Sequence, residues 1–194
     1  MMTLNVLNYA IVDEPRDKTN KQLRQELKHD FAINGRRLDN FTLTAMKAVA
    51  KIAPSLNSEN RYALFSAAQY FSLELLQSLL LDLAQNTPLK PLDFVATVGN
   101  AANYYLAKQF NLAATNLFLG CTDNKLSKTL LVAELDLSEQ NSDAAIIVIW
   151  QESEKTRRCY ALLVELAPQQ ATDVNANELI AQLDAGAKTP FVVN

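Results

Sequence analysis

Residues 144–150, Ala-Ala-Ile-Ile-Val-Ile-Trp, form an unbroken apolar run. A strand with one wet face alternates apolar and polar side chains, so a run without interruption must be covered on both faces. Two covering layers are then required, and the rest of the chain must supply helices for each of them.

The surrounding pattern meets that demand. A strand is expected over 3–11, followed by a charged helix whose apolar positions Leu23, Leu27 and Phe31 keep helical spacing. Asn34-Gly35 is a turn signal, and Asn40 is placed to cap a helix over 41–52 that Pro54 ends. Residues 61–67 read as a strand. Leu73, Leu76, Leu80 and Leu83 mark one face of a helix closed by Asn86 and Pro88, and Val98, Ala102, Leu106 and Phe110 mark the next. A short strand at 115–119 precedes a helix carrying Leu126, Leu130, Ala133 and Leu137. The 144–150 strand then pairs as a hairpin with 159–166 across the polar turn 152–157. The last thirty residues carry weaker signals: a short helix over 177–183 and an end expected to be mobile. The alternation of strands and helices predicts an α/β domain with a central sheet between helical layers. One domain of residues 1–194 suffices, with 1–35 an N-terminal strand and helix and 167–194 a C-terminal tail.

Composition removes several function classes. The net charge of −3 gives no basic field for a phosphate backbone, which argues against nucleic acid. No apolar stretch is long enough to span a membrane and the N-terminus lacks a signal-peptide pattern, so a cytoplasmic location is expected. A single histidine and two distant cysteines make no metal-ligand spacing, and four glycines form no phosphate loop. No cofactor is expected. Cys121 and Cys159 each lie in apolar surroundings and read as buried thiols.

The segment 115–124 is the place where chemistry would concentrate. A strand entering a helix through a tight turn displays one side chain beside the free N–H groups of the helix N-terminus, the layout of a nucleophile elbow. By spacing, the displayed residue is Asp123, with Cys121 two residues back at the strand end. A carboxylate in that position serves most simply as the helix cap.

The stretch from Pro91 through Phe94, Val98 and Asn100 to Ala102, then this elbow, then the strand at 143–150, resembles the N-terminal half of a β-ketoacyl synthase. There a phrase of the type Pro-x-x-Phe-x-x-x-Val-x-Asn-Ala precedes a helix, a strand with its nucleophile elbow, a further helix and a core strand. More narrowly, the chain is similar to β-ketoacyl-synthase-like N-terminal domains, the chain-length-factor-like proteins of type II polyketide clusters, including those for aryl polyenes. Arg36-Arg37-Leu38 also resembles that group. The likeness covers residues 36–166.

The resemblance implies a thiolase-like half-fold, a layered α/β arrangement with a mixed sheet covered by helices. It places the active cysteine of a condensing enzyme at Asp123, which cannot form a thioester. It also calls for two histidines from a C-terminal half, to assist decarboxylation and stabilise the resulting charge. The chain offers only His29, ahead of the resembling region and read as a solvated side chain. What is implied is a non-catalytic accessory protein of a polyketide or fatty-acid-type pathway. It would pair with a ketosynthase subunit or with itself through the 115–119 strand. Leu117, Phe118 and Leu119, with Tyr104 and Tyr105 on the preceding helix, are the candidate interface, Asn100 a candidate lining of an acyl or pantetheine channel, and Arg36-Arg37 a candidate contact for an acidic acyl carrier protein. Two other readings stay open: a small thioester-handling acyltransferase using Cys121, and a self-associating protein without a ligand.

Overall fold

The computed structural model describes residues 4–167, 173–176 and 178–193. Its strands are β1 (Leu4–Pro15), β2 (Tyr62–Ala68), β3 (Asn116–Gly120), β4 (Ala144–Glu152), β5 (Thr156–Leu166), β6 (Asp173–Val174) and β7 (Phe191–Val193). The helices are α1 (Asn20–Phe31), α2 (Asn40–Ile52), α3 (Leu73–Ala84), α4 (Pro91–Ala96), α5 (Ala101–Phe110), α6 (Lys125–Ser138) and α7 (Leu179–Asp184). The strands form one sheet in the order β3-β2-β4-β5-β1-β7-β6. β2 runs parallel to β3 and β4, whereas β5 is antiparallel to both β4 and β1. The expected layered α/β arrangement is present: a mixed sheet covered by helices.

β4 lies inside the sheet and is buried from Ala144 to Trp150, as its composition requires. Alternate side chains feed two cores. Ile146, Val148 and Trp150 pack with α1, α2 and α5, while Ala145, Ile147 and Ile149 pack with α6 and α7. α2 anchors the first core: Trp150 stacks on Phe41 at a centroid distance of 4.1 Å and donates its indole N–H to the Phe41 carbonyl at 3.1 Å. Lys18 and Lys47 both bind Glu14 and Glu26 at 2.5–2.8 Å, clamping β1, α1 and α2 together. At the other end, the buried Ser66 hydroxyl donates to Asn103 Oδ1 at 2.6 Å, and Asn103 Nδ2 donates to Asn116 Oδ1 at 3.0 Å. That polar chain joins β2, α5 and β3.

Several boundaries move for physical reasons. β1 and β5 run further than their apolar segments because Asp13 and Glu14 lie opposite Arg158 and Arg157, so charged residues continue the ladder. β4 likewise extends through Glu152, leaving a tighter hairpin than the 152–157 turn expected. The cap of α2 is Asp39, whose Oδ1 accepts the Thr42 N–H at 3.0 Å; Asn40 is already helical. The chain end is not loose where it is described: β7 pairs with β1 through Leu4–Val193, Asn5–Val192 and Val6–Phe191. Thr3 and Asn177, the expected first residues of a strand and a helix, lie outside the described residues.

Candidate functional site

The three parallel strands β2, β3 and β4 end on the same side of the sheet, at Ala68, Gly120 and Glu152. In open α/β sheets the carboxyl ends of the strands are where ligands collect. The elbow sits here. The Cys121 N–H donates to the Ala68 carbonyl at 3.0 Å, and α6 starts at Lys125.

The cap position of α6 is held by Asn124, not Asp123. Asn124 takes the left-handed conformation (φ 47°), which asparagine tolerates better than most residues, and its side chain makes no capping bond. Asp123 instead projects into solvent and accepts a 2.8 Å hydrogen bond from Lys128 Nζ. The hydrogen bond and charge of Lys128 hold its carboxyl below the ordinary aspartate value. Cys121 is half-buried, with its side chain against the α6-side core. The sole histidine, His29, belongs to α1 on the opposite helical layer, where it is exposed and contacts Asp30. No base approaches the Cys121 thiol from that residue. Cys159 is fully buried, and burial pushes its thiol well above the ordinary value. Asn100 stands at the cap position of α5, exposed and without a side-chain capping bond. Among the described residues no group of three or more His, Cys, Asp or Glu could hold a metal ion, and no helix is long and apolar enough to cross a membrane.

The 115–119 strand, shifted by one residue, is β3, and it is an edge of the sheet. Its side chains divide. Phe118 turns inward, 6.3 Å from Trp150 and against Gly99, where an added Cβ would lie 3.2 Å from the Phe118 ring. Leu119 packs on the α6-side core, whereas Leu117 is 40% exposed. Tyr105 packs against the first core while Tyr104, in edge contact with it at 5.3 Å, is exposed. Further large apolar side chains are exposed on the helices: Leu131 and Leu135 on α6, Leu80, Leu81 and Leu83 on α3, and Phe94 and Val95 on α4. The spacing marks Leu73, Leu76, Leu80 and Leu83 as one face of α3; in the fold only Leu79 of that helix is buried.

A charged centre escaped sequence reasoning altogether. Arg157 is buried at the start of β5, donates to Glu74 through one nitrogen at 2.7 and 2.9 Å, and also binds the carbonyls of Pro15 and Arg16. Arg16 adds a contact to Glu74 at 2.9 Å and lies 3.5 Å from Glu152. Burial works against the Glu74 carboxylate, yet the bonds from Arg157 and Asn40 with the nearby guanidinium charges hold it below the usual glutamate value. For Glu152 burial prevails and raises the carboxyl, with Arg16 and Arg157 pulling the other way. These residues line a cavity of about 220 Å3. Its only signal in the sequence was charge at the tips of strongly apolar strands, which reads equally well as a wet turn.

The sequence matches no protein-family model and none of the curated proteins. Solved structures do match. A complex of the ketosynthase ApeO with its chain length factor ApeC from Xenorhabdus doucetiae superposes with a TM-score of 0.66 at 14% identity, over 91% of this chain and 86% of the other. The fold is that of the ketosynthases and chain length factors. The ishigamide ketosynthase/chain length factor gives 0.64 at 11% identity, over 87% of this chain and 64% of that one. A third ketosynthase-fold match is AntDE:AntF, a type II polyketide synthase acyl-carrier protein with its ketosynthase bound to the hexaketide. It gives 0.57 at 10% identity over 96% of this chain and 65% of the other, so the chain spans just under two thirds of these two larger proteins.

Proposed function

We propose that this chain is a non-catalytic, chain-length-factor-like accessory protein that pairs across β3 with a ketosynthase or with a second copy of itself. It would act in the cytoplasm in a polyketide or fatty-acid-type pathway, aryl polyene assembly being one such setting. The observation that carries the reading is the unpaired apolar edge at β3. An edge strand offers a row of free backbone N–H and C=O groups, and here Leu117 of the strand is 40% exposed and the exposed Tyr104 lies on α5, the helix packed against it. Monomers protect such edges with charge, proline or a covering element, and β3 (Asn-Leu-Phe-Leu-Gly) carries none of these in its own sequence. The likeness to ketosynthase–chain-length-factor complexes supports the same arrangement.

The elbow is consistent with a scaffolding role: Asp123 is tied to Lys128, and the Cys121 thiol and His29 sit in opposite helical layers. An acidic acyl carrier protein remains the proposed third component, with Arg36 and Arg37 both exposed.

Leu117→Asp tests the pairing, because Leu117 projects outward whereas Phe118 supports the core. A charge at the centre of the interface should weaken association by about thirtyfold or more. Light scattering of the chain alone, and co-purification with a full-length ketosynthase, read the effect. An unchanged assembly in both experiments would remove β3 as the interface.

A further inference from the structure

α6 packs on β2, β4 and β5 through Leu126, Leu130, Ala133 and Leu137. Its opposite face carries Asn124, Lys128, Leu131, Leu135 and Glu139, all exposed and spaced three or four residues apart. A helix that buries one side normally turns polar and charged residues to the other. Here two leucines occupy the middle of the outer face, 57% and 56% exposed. Four residues apart, they stand one above the other along the helix. One exposed leucine is ordinary, whereas two in line, with a lysine before them and a glutamate after them, make a patterned stripe.

The charges of α6 run against its dipole. Lys125 and Lys128 occupy the first turn, at the positive end, with no acidic residue there. Glu134, Asp136 and the C-cap Glu139 gather toward the negative end, and the last turn holds no basic residue. That order is the reverse of the favourable one. Asp136 is satisfied within the chain by Thr115 and Ser142, and Lys128 leans back on Asp123. Among the described residues Glu134 and Glu139 have no ion-pair partner.

An antiparallel helix with the same charge order corrects both features together. Its acidic end comes beside the lysines of α6, its lysines come beside the glutamates, and its apolar stripe covers Leu131 and Leu135. α6 itself has that sequence. A two-fold axis crossing the pair level with Ala133 sets Leu131 against Leu135 of the second copy. Lys128 then comes level with the second copy's position 138, one residue or about 1.5 Å of rise from its Glu139. In such an isologous pair each contact occurs twice.

We propose that α6 is a self-association surface: two copies of this chain pair antiparallel through Leu131 and Leu135, with Lys128 of each beside Glu139 of the other. The stripe is complementary to its own reverse, which makes a second copy the occupant. This contact is separate from β3. The β3 edge extends the sheet sideways, whereas Leu131 and Leu135 point away from the face of the sheet, so one copy can hold both partners. A single pair of helices buries little area, and micromolar association is expected.

Sedimentation velocity of the full chain over a range of concentrations reads the association, with Leu117→Asp present in every sample so that β3 pairing does not contribute. A monomer–dimer equilibrium is expected. Leu131→Asp should weaken it about thirtyfold or more. Lys128→Glu and Glu139→Lys, each alone, set like charges opposite one another at both contacts and should weaken it about fivefold. An equimolar mixture of those two variants should regain the original affinity, because each supplies the charge that the other lacks. All three side chains are exposed, so the substitutions leave the interior of the monomer untouched. A chain that stays monomeric up to about 1 mM would overturn the proposal, as would a dimer indifferent to Leu131→Asp. A mixture as weak as its components would overturn it too, since the charges would then not meet across the helices.

Discussion

The two ends of this sheet are built differently. Around β4, β5 and β1 the chain behaves as a finished interior: α2 buries most of its length, Trp150 stacks on Phe41, and Glu14, Glu26, Lys18 and Lys47 satisfy one another. At β3 no residue of the strand is fully buried, and Leu117 and the neighbouring Tyr104 of α5 face outward; α3 likewise buries only Leu79 and leaves its other leucines partly or wholly exposed. A single hydrophobicity pattern serves both ends. The difference teaches that apolar periodicity reports a face to be covered without saying whether the cover lies within the chain.

The sharpest way to break the comparison is at its dense end. Trp150→Ala removes the stack and the hydrogen bond to Phe41, and chemical denaturation should show a loss of about 3–5 kcal/mol. A loss below about 1 kcal/mol would mean that this end is no better packed than the other. Asn103→Ala probes the joint between the ends. It strands the Ser66 hydroxyl and the Asn116 amide in a buried setting, for an expected cost of about 2 kcal/mol.

Acid provides a third measure. Burial raises the Glu26 carboxyl, but the bonds from Lys18 and Lys47 outweigh it and leave it lowered; Glu74 is lowered in the same sense by Arg157. Carboxylates depressed in the folded state contribute stability above their unfolded value of 4.5 that is lost as pH falls through the folded one. Glu152 has the opposite sign, since its raised carboxyl favours folding once protonated. Melting temperature should therefore fall below pH 4.5, and replacing Glu152 by Gln should raise stability near neutral pH. A melting temperature that is flat down to pH 3 would disconnect these ion pairs from stability.

Where apolar side chains are left exposed, effects should be small in the isolated chain. Leu81→Ser lies on an exposed face and should change unfolding stability by less than about 0.5 kcal/mol. A larger loss that grows with protein concentration would show the face covered by a second copy. Smallest of all, Asp123→Ala should leave the melting temperature unchanged, because its contact with Lys128 is fully solvated and the helix is not capped there.

How far the sequence could be read follows the same division. The strand over 144–150, the order of elements and the helix through Leu126, Leu130, Ala133 and Leu137 were legible because each buries its face against this chain. The α3 leucines misled for want of that condition. Charged residues hid the rest: Arg157 and Glu14 read as turn or surface, yet they continue β-ladders and are themselves buried. At the elbow, local spacing located the turn but not the residue in the left-handed conformation, since Asp and Asn are adjacent and both tolerate it.

The hydrogen-bonded trio Ser66, Asn103 and Asn116 has one more consequence. β3 is only five residues long and held by a neighbour on one side, so its backbone alone would tolerate sliding by a residue, which would swap Leu117 with Phe118. An amide-to-amide bond at the first residue of the strand works as a locating pin. Whatever molecule meets this border therefore finds one fixed phase of side chains, and assembly can proceed without first sorting among misaligned versions of the strand.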